Sequence, residues 1–278
     1  MTGGLLAPRD ARTHWASAIV PSDQFLLYCF DHGSGPVPAA AEVAAEIAAR
    51  APSVTDLRLR VAPAPCDLEH PAWAPCDVVD ICEHDACSWS AVPGAVARLF
   101  VQQVDATVAP WRVHVFADVA DAPRCTGPAT VVVLQVAHAL GDGRRSAAIA
   151  RALFSSGSRT QAPVFAPLPA GMRAARGLLG LPLSLVRTVA LGTRVAPARA
   201  EIDRRTASGA LPAAVPGCPP TVLNVAPDAS RDVRMLVRDT ASLGEGTVTT
   251  GALTAVSVAL ERYLVTRGAA VPRSSAPR

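Results

Sequence analysis

The 278 residues are enough for one large or two small domains with a packed core, and a composition half hydrophobic and 18% charged excludes a disordered chain. All 26 basic residues are arginine, and against 23 acids they leave a net charge of +3, too small to point to a nucleic-acid partner. Met1 to Asp10 lacks the basic-then-apolar pattern of a secretory signal, and the longest charge-free apolar run in the middle of the chain, Gly177 to Val186, is half of the roughly 20 residues that a bilayer span needs, so a cytoplasmic location is expected. Seven cysteines, an odd number without an export signal, argue against structural disulfides.

In chain order, Val20 to Tyr28 reads as a turn followed by an apolar run. Ala39 to Arg50 is an Ala-rich helix, and Val54 to Val61 alternates like a half-buried strand. His70 to His84 is a Pro-rich loop pinned by Trp73 that leads into a short strand. Cys76, Cys82, His84 and Cys87 lie close together. Their spacing lacks a Cys-x2-Cys knuckle and a second ligand pair, so no metal site is expected. Val92 to Val104 reads as an amphipathic helix opened by Pro93. Trp111 to Ala117 and Val131 to Val136 read as strands that pair across the Asp118 to Ala129 loop.

The second of these strands stops at His138. Gly141-Asp142-Gly143 then marks a turn, with Asp142 able to cap the helix that follows. Three readings compete. One is a buried histidine and a capping aspartate without chemistry. Another is a dinucleotide loop, which wants Gly or Ala where Ser146 stands and an acid about 20 residues on; no Asp or Glu occurs between Gly143 and Glu201. The third is acyl transfer, with His138 as a general base held by a rigid strand end. Here Asp142 orients the loop through an arginine, and Gly143 permits the turn and a close approach to a ligand.

Ser155 to Pro169, rich in Ser, Gly and Pro, marks a domain boundary. Met172 to Val195 is apolar with Arg173, Arg176, Arg187 and Arg194 spaced along it; Gly180, Pro182 and Gly192 predict a break in any long helix. Nine arginines and no acid between Arg144 and Arg199 fit either a solvated face or attraction of anionic lipid or the phosphates of coenzyme A. Asp232 to Arg238 alternates like a strand. Gly246 to Leu264 is a helix capped by Thr249 or Thr250, and a polar tail runs from Val271 to Arg278.

His138-Ala-Leu-Gly-Asp142-Gly143 resembles the HxxxDG signature of the acyltransferases that include chloramphenicol acetyltransferase and peptide-synthetase condensation domains. The surrounding chain is most similar to the bacterial wax ester synthase/diacylglycerol acyltransferase family. Val20-Pro-Ser-Asp23 with Phe25-Leu26, Pro71-x-Trp73 with Asp77, Asp80 and His84, Asp105 with Trp111, and Thr221-Val-Leu-Asn224 match its pattern. Departures are Ala137 in place of a first histidine, Pro110 displaced by one position, and Thr249-Thr250 in place of Asn-Asp.

The resemblance implies an α/β, chloramphenicol-acetyltransferase-like two-lobe architecture with a nearly complete first lobe and a partial, C-terminally truncated second. Residues 1–155 would form the first lobe, 156–215 a basic apolar crossover, and 216–278 the start of the second. It implies an O-acyltransferase that moves a fatty acyl group from acyl-CoA to a long-chain alcohol or diacylglycerol. His138 would be the base, Asp142 and Gly143 would shape the loop, and Trp111 and Asp105 would touch substrate. No cofactor or metal is implied beyond acyl-CoA as co-substrate. Further expectations are contact with an inner-membrane or lipid-droplet surface, and self-association through exposed apolar surface. The alternative is an inactive homologue that binds lipid or a partner.

Overall fold

The computed structural model describes residues 4–85, 88–155, 168–212, 221–224, 230–243, 246–269 and 271. Cys87, Pro219, Pro220, most of the expected 155–169 loop and the tail after Val271 lie outside them. The chain divides into two units, Met1–Leu181 with Arg231–Met235, and Pro182–Ser230 with Leu236–Arg278.

The first unit is mixed α/β. Its four-stranded sheet is built from β1 (Gln24–Asp31), β4 (Ile81–His84), β5 (Trp111–Val119) and β6 (Ala129–Val136), in the order β1-β6-β5-β4. β6 pairs antiparallel with β1 and β5, while β4 runs parallel to β5. Every residue of β6 is buried, as its unbroken Val-rich run requires of a central strand covered on both faces. On one face Val132, Leu134 and Val136 pack with Trp111, Val113 and Val115 against Ile47 of helix α2 (Ala40–Arg50) and Ile149 and Leu153 of helix α4 (Gly143–Phe154). On the other, Val131, Val133 and Phe116 meet Val92 and Val96 of helix α3 (Val92–Leu99). A separate antiparallel pair joins β2 (Leu59–Ala62) to β3 (Ala72–Pro75).

Several expectations change. The Val54 to Val61 stretch begins as a 3-10 turn, Thr55–Arg58, before β2. Trp73 sits in a strand, β3, rather than a loop, because its backbone pairs with Val61. Helix α3 ends at Leu99, short of Val104. A helix that the sequence reading gave no place, α1 (Pro8–Ser17), starts the chain; Pro8 supplies the preset φ of a first helical residue.

The largest correction is α5. Its 38 residues, Ala170–Ala207, form one helix through Pro182 and Pro197. Each proline deletes one backbone donor, and the Ala-, Leu- and Arg-rich flanks carry the helix past it. Charge-free length therefore undercounted the apolar stretch: this helix is long and apolar enough, by length and composition, to cross a bilayer. At its start Arg173 is buried, bonded to Glu69 (2.8 Å) and to the carbonyls of Ala62 and Pro63, and Arg176 joins Glu69 (2.6 Å). These two arginines are committed to the first unit and not to lipid or phosphate. Gly177 is required here, since a Cβ would lie 2.7 Å from that of Leu68.

In the second unit, helix α6 (Val248–Thr266) is capped by Thr247, whose hydroxyl accepts from the Thr250 N–H (3.1 Å); the capping residue is thus two positions earlier than the first expected. Thr221-Val-Leu-Asn224 is a single 3-10 turn closed by the Asn224 side chain on the Thr221 N–H. Residues 232–238, of which 232–235 belong to the first unit and 236–238 to the second, form no strand despite their alternation, because a strand exists only with a ladder partner and they pair with none among the described residues.

Candidate functional site around His138

The site forms where the central strand ends. Val136 pairs with Gln24 on one side and Trp111 on the other, which fixes the backbone two residues before His138. The chain then turns: the Ala137 N–H donates to Pro110 and the Leu140 N–H to Ala137 (both 2.8 Å). Asp142 caps α4 by accepting from the Arg145 N–H (3.1 Å). That bond, more than the distant Arg9 guanidinium (3.9 Å), holds the exposed Asp142 carboxyl below the usual carboxylate range. The expected arginine partner is therefore loose. Arg145 instead clamps Asp56 (2.6 Å) and packs its stem over Gly141, where a Cβ would come within 2.9 Å. Gly141 is the glycine this loop requires; a Cβ on Gly143 would meet open space.

His138 is half-buried and opens onto three clefts. One of about 660 Å³ is walled by Arg9, Arg12, Thr13 and Ala16 of α1 with Val20 and Ser22. A smaller polar one of about 190 Å³ contains Asp142, Arg145 and Asp10. A third, about 400 Å³, contains His14, Asp23, Gln103 and Asp105. Among the described residues, two buried polar atoms have no hydrogen-bond partner, His14 Nδ1 and Ser22 Oγ, and both belong to cleft-lining residues. Burial pushes His14 below its ordinary value, against the pull of Asp105 and Asp67.

The ring itself is held by Gln24. One amide N–H donates to His138 Nδ1 (2.6 Å) and the other to the Gly141 carbonyl (2.7 Å). Beside it, Asp23 accepts from the Val104 N–H (2.8 Å) and from Gln135 (2.7 Å). Burial raises the Asp23 carboxyl despite these donors. Gln135 accepts from His114 Nε2 (2.9 Å), and His114 Nδ1 meets His84 Nε2 (2.9 Å). A hydrogen-bonded chain thus runs through the sheet from His84, stacked on Phe116, to the cleft. Within it His114 is 1% exposed, and burial depresses it to about 4.

The structure brings His138, Asp142 and Asp105 to adjoining clefts. Trp111 is elsewhere. It is fully buried, its indole N–H donating to the Leu57 carbonyl (2.9 Å), so it is a core residue and not a substrate contact. Asp105 is exposed at the rim and ties down Thr107. Sequence reasoning missed α1 and Gln24. Pro8 at a first helical position was a signal for the helix; nothing local marks Gln24, whose role comes from pairing across 114 residues. Among the described residues no group of three His, Cys, Asp or Glu is placed to hold a metal. Cys76 is buried with its thiol on the Val108 carbonyl, and Cys82 lies in β4.

Comparison of the sequence with protein-family models and with curated proteins finds no match. Solved structures share only distant likeness. The wax ester synthase/diacylglycerol acyltransferase from Marinobacter aquaeolei VT8 aligns over 59% of this chain and 40% of its own, at 16% identity and a TM-score of 0.44. The first condensation domain of the calcium-dependent antibiotic synthetase aligns over 55% and 36%, at 13% identity and 0.43. The X-domain from teicoplanin biosynthesis aligns over 65% and 39%, at 18% identity and 0.42. The chain thus spans about two fifths or less of each of these proteins.

Proposed function

We propose that this chain carries the acyl-transfer site of an acyl-CoA-dependent O-acyltransferase, with a long-chain alcohol or diacylglycerol as acceptor. The observation that carries the reading is the half-buried His138, fixed at the end of a central strand and open to three clefts. His138 takes the hydroxyl proton as the oxygen attacks the thioester, a role that contributes about 10²–10⁴-fold. Arg9 and Arg12 on the wall of the largest cleft offer cations to the phosphates of coenzyme A. No metal is needed, because a thioester is already activated. The exposed Leu and Val residues of α5, with Arg187 and Arg194 among them, fit a lipid surface that holds the acceptor, at the inner membrane or a lipid droplet.

The same exposed helix favours a second reading, a catalytically silent homologue that binds lipid or a partner. Release of coenzyme A from palmitoyl-CoA in the presence of hexadecanol separates the two. Under the first reading His138→Ala loses at least 100-fold in rate. A wild-type rate equal to that of the alanine variant supports the second.

A further inference from the structure

We propose that the cavity between α2 and α4 is a second small-molecule site. It takes an amphiphilic ammonium compound, an apolar chain or ring with one amine, whose head meets Glu42 and whose body covers the apolar floor. The inference goes beyond the acyl-transfer reading and does not depend on it.

The cavity follows from how the two helices lie on the sheet. Both cover the same face. Helix α2 meets it with Val43 and Ile47, each followed by an alanine, and α4 contributes only its last two residues, Leu153 and Phe154. The small side chains leave a space of about 420 Å³ over Val132 of β6. Ligand sites commonly enclose about 300–1,000 Å³. Among the described residues the cavity shares no wall with the three clefts at His138. Val132 lies about 13 Å of strand before Val136, and His138 is past that strand's end.

The lining selects the body of a ligand. Ile47, Val132 and Leu153 are each no more than 4% exposed. Phe30 and Phe154 stand in the wall with ring centroids 5.8 Å apart and planes at 70°. An alkyl chain or ring set against these residues leaves water for apolar surface, and the face of a phenyl ring attracts an ammonium group as well.

The polar groups select the head. Arg50 is held by Glu46 through Nε (2.6 Å), so that pair carries no net charge. His32 Nε2 meets the hydroxyl of the buried Thr130 (2.9 Å). Glu42 is left. One of its oxygens accepts from the Ala39 N–H (3.0 Å); among the described residues the other has no partner, and neither meets a cation. A carboxylate without a counter-ion beside an apolar cavity attracts an ammonium group and repels a second carboxylate.

The test is a methyl NMR titration of the full chain, labelled in Ile, Leu and Val, with hexylammonium, hexanol and hexanoate, three ligands that share one tail. Hexylammonium is expected to shift the Ile47, Val132 and Leu153 methyls and to bind about tenfold more tightly than hexanol, with hexanoate weaker still. Glu42→Gln keeps an oxygen to accept from the Ala39 N–H and removes the charge, so it should abolish the difference between hexylammonium and hexanol. No shift with hexylammonium, equal affinity for the three ligands, a preference that survives Glu42→Gln, or shifts confined to Val20 in the largest cleft at His138 overturns the proposal. The comparison of ligands on the wild-type chain needs no variant to fold.

Discussion

Two residues named for the same site separate once packing is known. Asp105 stays at the cleft rim, whereas Trp111 is enclosed by the core on the sheet face shared with α2 and α4. The sequence placed Trp111 at a strand start but not on which side of the chain the indole would lie. Trp111→Phe should therefore act on stability and not on substrate affinity. It strands the Leu57 carbonyl and leaves a void, at a cost of about 1–3 kcal/mol, and Trp111→Ala costs about 3–5 kcal/mol. Urea unfolding of both variants beside the acyl-CoA KM of Trp111→Phe checks this. An unchanged unfolding midpoint with a raised KM would return Trp111 to the substrate.

Strands β5 and β6, their pairing, and helices α2 and α4 were legible because each has a full period of apolar residues and a capping or turn residue at its edge. The 54–61 and 70–75 stretches were misread in opposite directions, since a strand is completed by a partner that local sequence does not name. Helix α5 was misread through its prolines. Its exposed apolar residues, among them Leu179, Leu185, Val186, Val189 and Leu191, surround the axis rather than form one stripe, the pattern of a helix enclosed by an apolar medium. Cosedimentation with phosphatidylglycerol vesicles should show binding, and Leu185→Glu with Val189→Glu should weaken it at least tenfold. Arg187→Gln with Arg194→Gln should remove the preference for anionic over zwitterionic vesicles. Binding that survives both pairs would assign the contact to another element.

Across the whole molecule, the buried histidine makes stability depend on acid. His114 titrates at about 4 in the folded chain against an ordinary 6.5, so between those values the unfolded chain holds a proton that the folded one refuses. Stability contributed by the neutral ring is complete above about pH 6.5, declines as pH falls toward 4 and levels off below. By pH 4.5 the loss is roughly 2 kcal/mol. Asp23, raised by burial, works in the opposite sense, since the folded chain binds its proton more readily as pH falls. His114→Asn should flatten the decline in urea midpoints between pH 7 and 4.5; an equal decline in wild type and variant would place the acid sensitivity elsewhere. One last consequence follows from the way a single amide divides its two hydrogens between the Gly141 carbonyl and the imidazole. Loop position and ring orientation share one hinge there. A loop that drifts by an ångström carries the amide away from the imidazole and so turns the ring, and a lesion far along the backbone can masquerade as a chemical one.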